Sequence, residues 1–107
     1  MKNKALIEKM ILEEKAALLS GKDFWMSKSI DRLNIPSIRL ADGPHGIRRQ
    51  AENVDHLGLN AGLPATSFPT AATMANSWDQ SLVEEIGGLL GEEAAALGVD
   101  VLLGPVL

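Results

Sequence analysis

The sequence predicts an α/β fold, and three stretches carry the prediction. Residues 35–41, Ile-Pro-Ser-Ile-Arg-Leu-Ala, form a short apolar run suited to a strand. Residues 79–97 place Leu82, Val83, Ile86, Leu89, Leu90, Ala94 and Leu97 at helical spacing. Residues 99–103, Val-Asp-Val-Leu-Leu, make a second strand-like run that is apolar on both faces. Strand, helix and strand in this order form a βαβ unit, whose strands are expected to be parallel and whose crossover is expected to be right-handed.

Composition narrows the function. The 107 residues leave room for one domain at most, which at this size buries somewhat over roughly 60% of its unfolded surface. The formal net charge is -4, the pI is about 5.0, and no long block of like charge occurs. That pattern offers no footprint for a phosphate backbone, so no nucleic acid partner is expected. Cysteine is absent, which excludes disulfides, thiolate chemistry and cysteine-ligated zinc and fits a reducing compartment. Residues 1–15 intersperse Glu8, Glu13 and Glu14 among apolar residues, so they read neither as a signal peptide nor as a membrane span. The expected address is cytoplasmic, without a membrane partner.

Taken in order, residues 3–19 place Leu6, Met10, Leu12, Ala16 and Leu19 at spacings suited to one or two short amphipathic helices that end at Ser20-Gly21. Gly21 is a natural residue to follow a helix end. Ile11 sits where a second helix would begin and has no oxygen with which to cap it, so the two turns either fuse or break without a sharp boundary. Residues 22–32 sustain no period and read as loop, with Trp25 a packing aromatic whose flat ring also suits stacking on a sugar.

In the first strand Pro36 is confined to the start, because it cannot donate to a ladder. Ile38, Leu40 and Asp42 share one side by the two-residue period, and Arg39 lies on the other, beneath the helices, where a cation needs a partner. Residues 43–70 are rich in Gly, Pro, Asn, Ser and Thr and far exceed the usual strand-to-helix connection, which argues for the wall of a binding cleft. Pro64 and Pro69 keep the intervening Ala65-Thr66-Ser67-Phe68 extended. The long helix is expected to start at a Ser77 or Asp79 cap and to close at Gly98. Gly87 and Gly91 lie one turn apart in it, which close approach to the sheet would explain. Glu92 and Glu93 read as solvated acids on the helix surface.

Chemistry concentrates at Asp42-Gly43-Pro44-His45-Gly46-Ile47-Arg48, just past the first strand. Carboxyl ends of strands are where α/β sheets and barrels hold their ligands. A carboxylate supplies acceptors and a guanidinium a planar fork of donors, with the glycines and proline shaping the turn that unites them. The alternative is that Asp42 caps the turn by bonding its backbone amides and Arg48 is a plain surface cation. His45 and His56 lack a third ligand at suitable spacing, so no metal is expected, and no glycine loop opens a helix as a phosphate cradle would, so no cofactor is expected either.

This loop resembles the one near the start of family 3 glycoside hydrolases, the β-glucosidase group. Leu12-Glu13-Glu14-Lys15, Arg32-Leu33-Asn34-Ile35-Pro36, Gly62-Leu63-Pro64-Ala65-Thr66-Ser67-Phe68-Pro69-Thr70, Gly91-Glu92-Glu93-Ala94 and Leu103-Gly104-Pro105 follow in that family's order. The resemblance implies that residues 1–107 are an N-terminal portion of a (β/α)8 TIM-type barrel, incomplete, with about two strands and their helices. It further implies that Asp42 and Arg48 bind the hydroxyls of the sugar in the innermost subsite of a retaining β-glucosidase, and that Trp25 lies near the site mouth. The family's nucleophile and acid/base carboxyls fall beyond the segment resembled, so no catalytic residue is expected in this chain. Its own acids come as adjacent pairs on helices, which is a solvated surface rather than a catalytic dyad.

Ile11, where the family usually has a capping threonine, and Val106-Leu107, where it continues with glycine and an asparagine-bearing loop, depart from the pattern. The expected partners are a β-glucoside or related saccharide and the remainder of a parent enzyme. A non-catalytic carbohydrate-binding or assembly module, pairing with itself or another chain, is the alternative.

Overall fold

A computed structural model describes residues 2–43, 45–50 and 62–104. Backbone contacts divide the chain into two compact units, Met1–Arg39 and Leu40–Leu107. Pro44, residues 51–61 with His56, and Pro105, Val106 and Leu107 lie outside the described residues.

The first unit opens with two helices, α1 (Lys4–Lys9) and α2 (Leu12–Leu18). Their boundary is sharp despite Ile11, because the capping duty passes to Glu14. Its Oε2 accepts from the Ile11 N–H at 3.0 Å, which is the half of a capping box that needs no side chain at the cap itself. Glu14 is fixed in turn by Arg32, whose Nε and Nη2 donate to its two oxygens at 2.9 and 2.7 Å. The same Nη2 donates to the Lys9 carbonyl at the end of α1. One guanidinium therefore satisfies the end of one helix and orients the cap of the next. Hydrogen bonding to Arg32 is the main cause that holds the Glu14 carboxyl below its ordinary pKa.

Residues 22–32 are irregular, as expected, yet well bonded: Asp23 Oδ1 accepts from the N–H groups of Trp25 and Met26, each at 2.8 Å. A 3-10 turn, Asp31–Leu33, ends on Asn34 in the left-handed region at φ 53°.

The first strand is shorter than expected. Residues 35 and 39 make isolated antiparallel bridges with Ile30 and Met26, and only Leu40–Ala41 forms β1. A ladder extends only as far as its partner, and the second strand, β2, is Val101–Leu102. The two pair in parallel with Leu40 opposite Val101 and Ala41 opposite Leu102, and Leu103 N donates to the Ala41 carbonyl at 2.8 Å. The expected parallel βαβ unit is therefore present, built on a minimal sheet.

Between the strands run α3 (Ala71–Asn76) and α4 (Gln80–Ala96). The sequence reading assigned nothing to α3; its signal was Thr70, whose hydroxyl oxygen accepts from the Thr73 N–H at 3.1 Å, followed by Ala71 and Met74 on one buried face. Asp79 is the cap of α4, accepting from the Leu82 N–H at 3.0 Å, while Ser77 bonds back to α3. At the far end Gly98 takes φ 65°, its N–H bonds the Ala95 carbonyl, and the Val99 N–H bonds that of Ala94. These two bonds form a Schellman close that only a left-handed residue permits easily.

Ile86, Leu90 and Ala94 line the buried stripe of α4 and pack with Ala41, Ile47, Met74 and Val99. Leu82, Val83 and Leu89, expected in the same stripe, are exposed, because the small sheet covers only part of a helix this long. Close approach does not explain Gly87 and Gly91. A Cβ at either meets no atom within 4 Å, so among the described residues nothing presses on that face.

Three outcomes follow for urea denaturation monitored by far-UV circular dichroism. Gly91→Ala stabilises the chain by up to about 1 kcal/mol, since only the helix propensity changes. Ile11→Thr stabilises it by about 0.5–2 kcal/mol, the hydroxyl supplying the missing half of the box. The Glu14 pKa is depressed on folding, so its contribution is complete above the ordinary carboxylate range and is lost as pH falls below about 4.5. The stability difference between the native chain and Glu14→Gln accordingly shrinks from pH 6 to pH 3; a constant difference contradicts the pairing.

Candidate functional site

The loop after β1 is closed by its own backbone. Asp42 and Arg48 form an isolated antiparallel bridge, with the Arg48 N–H on the Asp42 carbonyl at 2.8 Å. Between them Gly43 and Gly46 adopt φ 135° and 142°, conformations that side chains rarely tolerate. A Cβ on Gly43 would stand 1.7 Å from the Gly46 carbonyl oxygen, and one on Gly46 would stand 2.1 Å from that of Thr66. Only glycine permits the loop to turn this tightly and to lie against residues 63–68. The Phe68 N–H donates to the His45 carbonyl at 2.6 Å, and the Leu63 N–H to that of Arg49 at 2.8 Å, so the second segment is laced to the first.

This closure brings the two expected binding residues together. Arg48 Nε donates to Asp42 Oδ1 at 2.9 Å and Nη2 to Oδ2 at 2.7 Å, a two-point fork. The hydrogen bonds, and then the attraction of the carboxylate, raise the Arg48 pKa, so the guanidinium stays charged throughout the working pH range. Side-chain exposure is 55% for Arg48 and 33% for Asp42, so the pair is partly wet and its Coulomb energy is screened. Its value lies in geometry. Each carboxylate oxygen keeps a second lone pair, and the guanidinium keeps further N–H groups, so the pair presents acceptors and donors side by side in one plane.

Beside it is an open hollow of about 300 Å³ lined by Gly43, His45, Gly46, Ile47, Arg48, Leu63, Ala65, Thr66 and Ser67. Arg48 lines this hollow directly, while Asp42 is not among its lining residues and is joined to it through the fork. Both Asp42 oxygens accept from Arg48 in the fork. His45 contributes an exposed ring to the rim. Among the described residues no group of His, Asp and Glu is arranged to hold a metal ion.

Other residues singled out from sequence have settings of their own. Trp25 is half-buried in the first unit. Glu93 is not the solvated acid expected: it is half-buried, and its Oε1 accepts from the Thr66 N–H at 2.8 Å and lies 3.0 Å from the Thr66 hydroxyl. Arg49, which the sequence reading passed over, donates from Nη1 to the Leu97 carbonyl at the end of α4. The available signal was alternation, since neighbours in an extended segment face opposite ways and Arg48 faces the hollow.

No family model matches the chain. Over 102 residues it is 54% identical to thermostable β-glucosidase B of Acetivibrio thermocellus, a match covering 95% of the chain and 14% of that relative. Its backbone superposes with a TM-score of 0.84 and 37% identity on a crystal structure of β-glucosidase from Kluyveromyces marxianus in complex with glucose, covering 95% of the chain and 11% of that one. A crystal structure of the GH3 β-glucosidase of Bifidobacterium adolescentis matches with a TM-score of 0.77 and 36% identity over 92% of the chain and 13% of its own length. The chain thus spans about an eighth of each protein that it resembles. By sequence and by backbone it is similar to a short segment of β-glucosidases, among them an enzyme of glycoside hydrolase family 3.

Proposed function

We propose that this chain supplies one sugar-binding wall of a retaining, exo-acting β-glucosidase-type site within a (β/α)8 barrel. The catalytic carboxylates then come from polypeptide outside these 107 residues. The observation that carries the reading is the Asp42–Arg48 fork at the carboxyl end of a parallel strand.

Strand geometry supports the barrel. Ala41 and Leu102 form the face of the sheet that joins the core with α4. Leu40 and its partner Val101 form the other, with Leu103 in register; that face is apolar and exposed, Val101 at 37% and Leu103 at 50%. A barrel strand is apolar on both faces because one meets helices and the other the barrel interior. Asp42 falls on the Leu40 side by the two-residue period, one step past the paired residues, and so stands at the mouth of such an interior.

The chemistry suits a sugar. A carboxylate accepts from vicinal hydroxyls while the guanidinium donates to their oxygens, and each neutralises the other when no ligand is present. Sugar hydroxyls thereby replace water on groups already held in register, which lowers the cost of binding. A similar structure supports this chemistry, since the Kluyveromyces marxianus β-glucosidase was crystallised in complex with glucose.

The uncovered sheet face also favours the alternative, an assembly module that covers Leu40, Val101 and Leu103 with a second copy or another chain. The two readings separate on purified 107-residue chain. The first expects no hydrolysis of 4-nitrophenyl β-D-glucopyranoside, and it expects D-glucose to shift the Arg48 Nε–H signal in NMR titration. Asp42→Asn and Arg48→Ala each weaken glucose binding tenfold or more, the loss expected of about 1.5–3 kcal/mol for a hydrogen bond to a charged group. Hydrolysis by the pure chain that disappears in Asp42→Ala contradicts the absence of catalytic groups. An Arg48 signal indifferent to glucose contradicts the sugar site, and a monodisperse dimer indifferent to glucose supports the assembly module.

A further inference from the structure

Arg48 needs a fixed backbone if its guanidinium is to hold one orientation, and two polar side chains reach from the site loops to one end of α4. Arg49, its chain neighbour, donates to the carbonyl of Leu97. The Schellman close satisfies the carbonyls of Ala94 and Ala95 but not that of Leu97, and the negative end of the helix dipole lies there. A guanidinium at this place is both a hydrogen-bond donor and a favourable charge. One turn earlier on the same helix, Glu93 Oε1 accepts from the N–H of Thr66, with the Thr66 hydroxyl within bonding distance. Thr66 lines the hollow, and its carbonyl is the surface against which Gly46 is packed.

The two contacts thus hold the two halves of the site, residues 48–49 and residue 66, to positions 97 and 93 of a single helix. They do so at a cost, since Arg49 Nε and Glu93 Oε2 are buried with no hydrogen-bond partner among the described residues. A pair of apolar residues would fill the same space without that penalty. Charged residues kept where they are incompletely satisfied point to a demand for direction rather than for stability.

We infer that Glu93 and Arg49 are positioning residues for Arg48: they lock the loop of residues 42–50 and the strip of residues 63–68 onto the end of α4, and so set the angle of the guanidinium toward the hollow. The inference rests on the proposed sugar site for its purpose, but not for its first measurement. Neither residue touches the ligand; each acts through the backbone of Arg48 or Thr66.

The test uses the Arg48 Nε–H signal of the 107-residue chain, first without any sugar. In the native chain it is a single sharp signal shifted by the Asp42 bond. Glu93→Gln keeps an acceptor for Thr66 and leaves that signal unchanged, whereas Glu93→Ala and Arg49→Met broaden it or move it toward the position of a solvated arginine. Arg49→Lys restores it in part. Signals of Ile86 and Leu90 in α4 and of Val101 and Leu102 in β2, in the same unit, serve as the control for a general loss of structure. If Glu93→Ala unfolds the chain, the contrast between Arg49→Met and Arg49→Lys decides alone. D-glucose is then titrated into each variant, and affinity falls on the order of tenfold in Arg49→Met and is retained in Glu93→Gln.

An Arg48 signal identical in native chain, Glu93→Ala and Arg49→Met overturns the positioning role, whatever glucose does. A disturbed Arg48 signal with unchanged glucose affinity supports the positioning role and overturns the sugar site. Loss of structure in Arg49→Met and Arg49→Lys alike, with the signals of α4 and β2 lost as well, overturns the positioning role in favour of a purely structural one.

Discussion

Four backbone positions, Leu40 and Ala41 against Val101 and Leu102, fix the second unit. Parallel strands cannot be joined by a tight turn, so the chain between them must leave the sheet, cross it as a helix and return. That requirement places α4 over the Ala41 face. Asp42 is therefore at the rim because of the pairing, before any property of its own side chain is considered. The brevity of the sheet has a second effect. With only two residues per strand in the ladder, much of the unit's coherence comes from loop bonds and from the apolar cluster of Ile86, Leu90, Ala94 and Val99 with Ala41 and Ile47. Ile47 belongs to the site loop, so the loop is anchored by apolar packing as well as by hydrogen bonds.

In the proposed sugar site, the Asp42–Arg48 fork would resolve a difficulty that any site for a neutral polyol meets. A lone carboxylate or guanidinium in a shallow hollow is well solvated, and exchanging its water for a sugar hydroxyl yields little. Paired, each takes part of the other's first shell in place of water, and the groups that remain point outward in a fixed plane. The partial exposure of both side chains keeps the desolvation penalty small, unlike that of a buried ion pair. Gly43 and Gly46 are what allow the six-residue separation to close into a two-point contact, because any Cβ at either position collides with backbone.

Much of this was legible in the sequence. The 3.6-residue period of α4, its close at Gly98 and the parallel strand order follow from local patterns with strong physical causes, whereas spacing alone left the start of α4 open between Ser77 and Asp79 and left Asp42 open between a turn cap and a partner of Arg48. What was not legible depended on contacts across the fold. Strand length is set by the partner, so residues 35–39 were expected in β1 and instead bridge to Ile30 and Met26. The helix break at Ile11 needed Arg32, eighteen positions from Glu14, to orient the acid that caps it. Glu93 looked solvated because adjacent glutamates on a helix usually are, and only the return of residues 63–68 gives it Thr66. The short helix α3 was hidden for a different reason: six residues show less than two turns of period, and its one clear mark was the hydroxyl of Thr70.

The apolar surface that this chain leaves uncovered has an orderly distribution. On the sheet it is the face of Leu40, Val101 and Leu103, opposite α4. On α4 it is Leu82, Val83 and Leu89, beside glycines whose missing side chains leave the backbone bare. Helix propensity alone disfavours glycine at three positions of one helix, and nothing among the described residues compensates. In the proposed barrel both surfaces have natural neighbours: further strands close over the inner face, and the next helix lies along the flank of α4, where glycine lets two backbones approach. The same arrangement surrounds the Asp42–Arg48 fork with the mouths of other strands, which is where a second set of side chains would reach the far side of a bound ring.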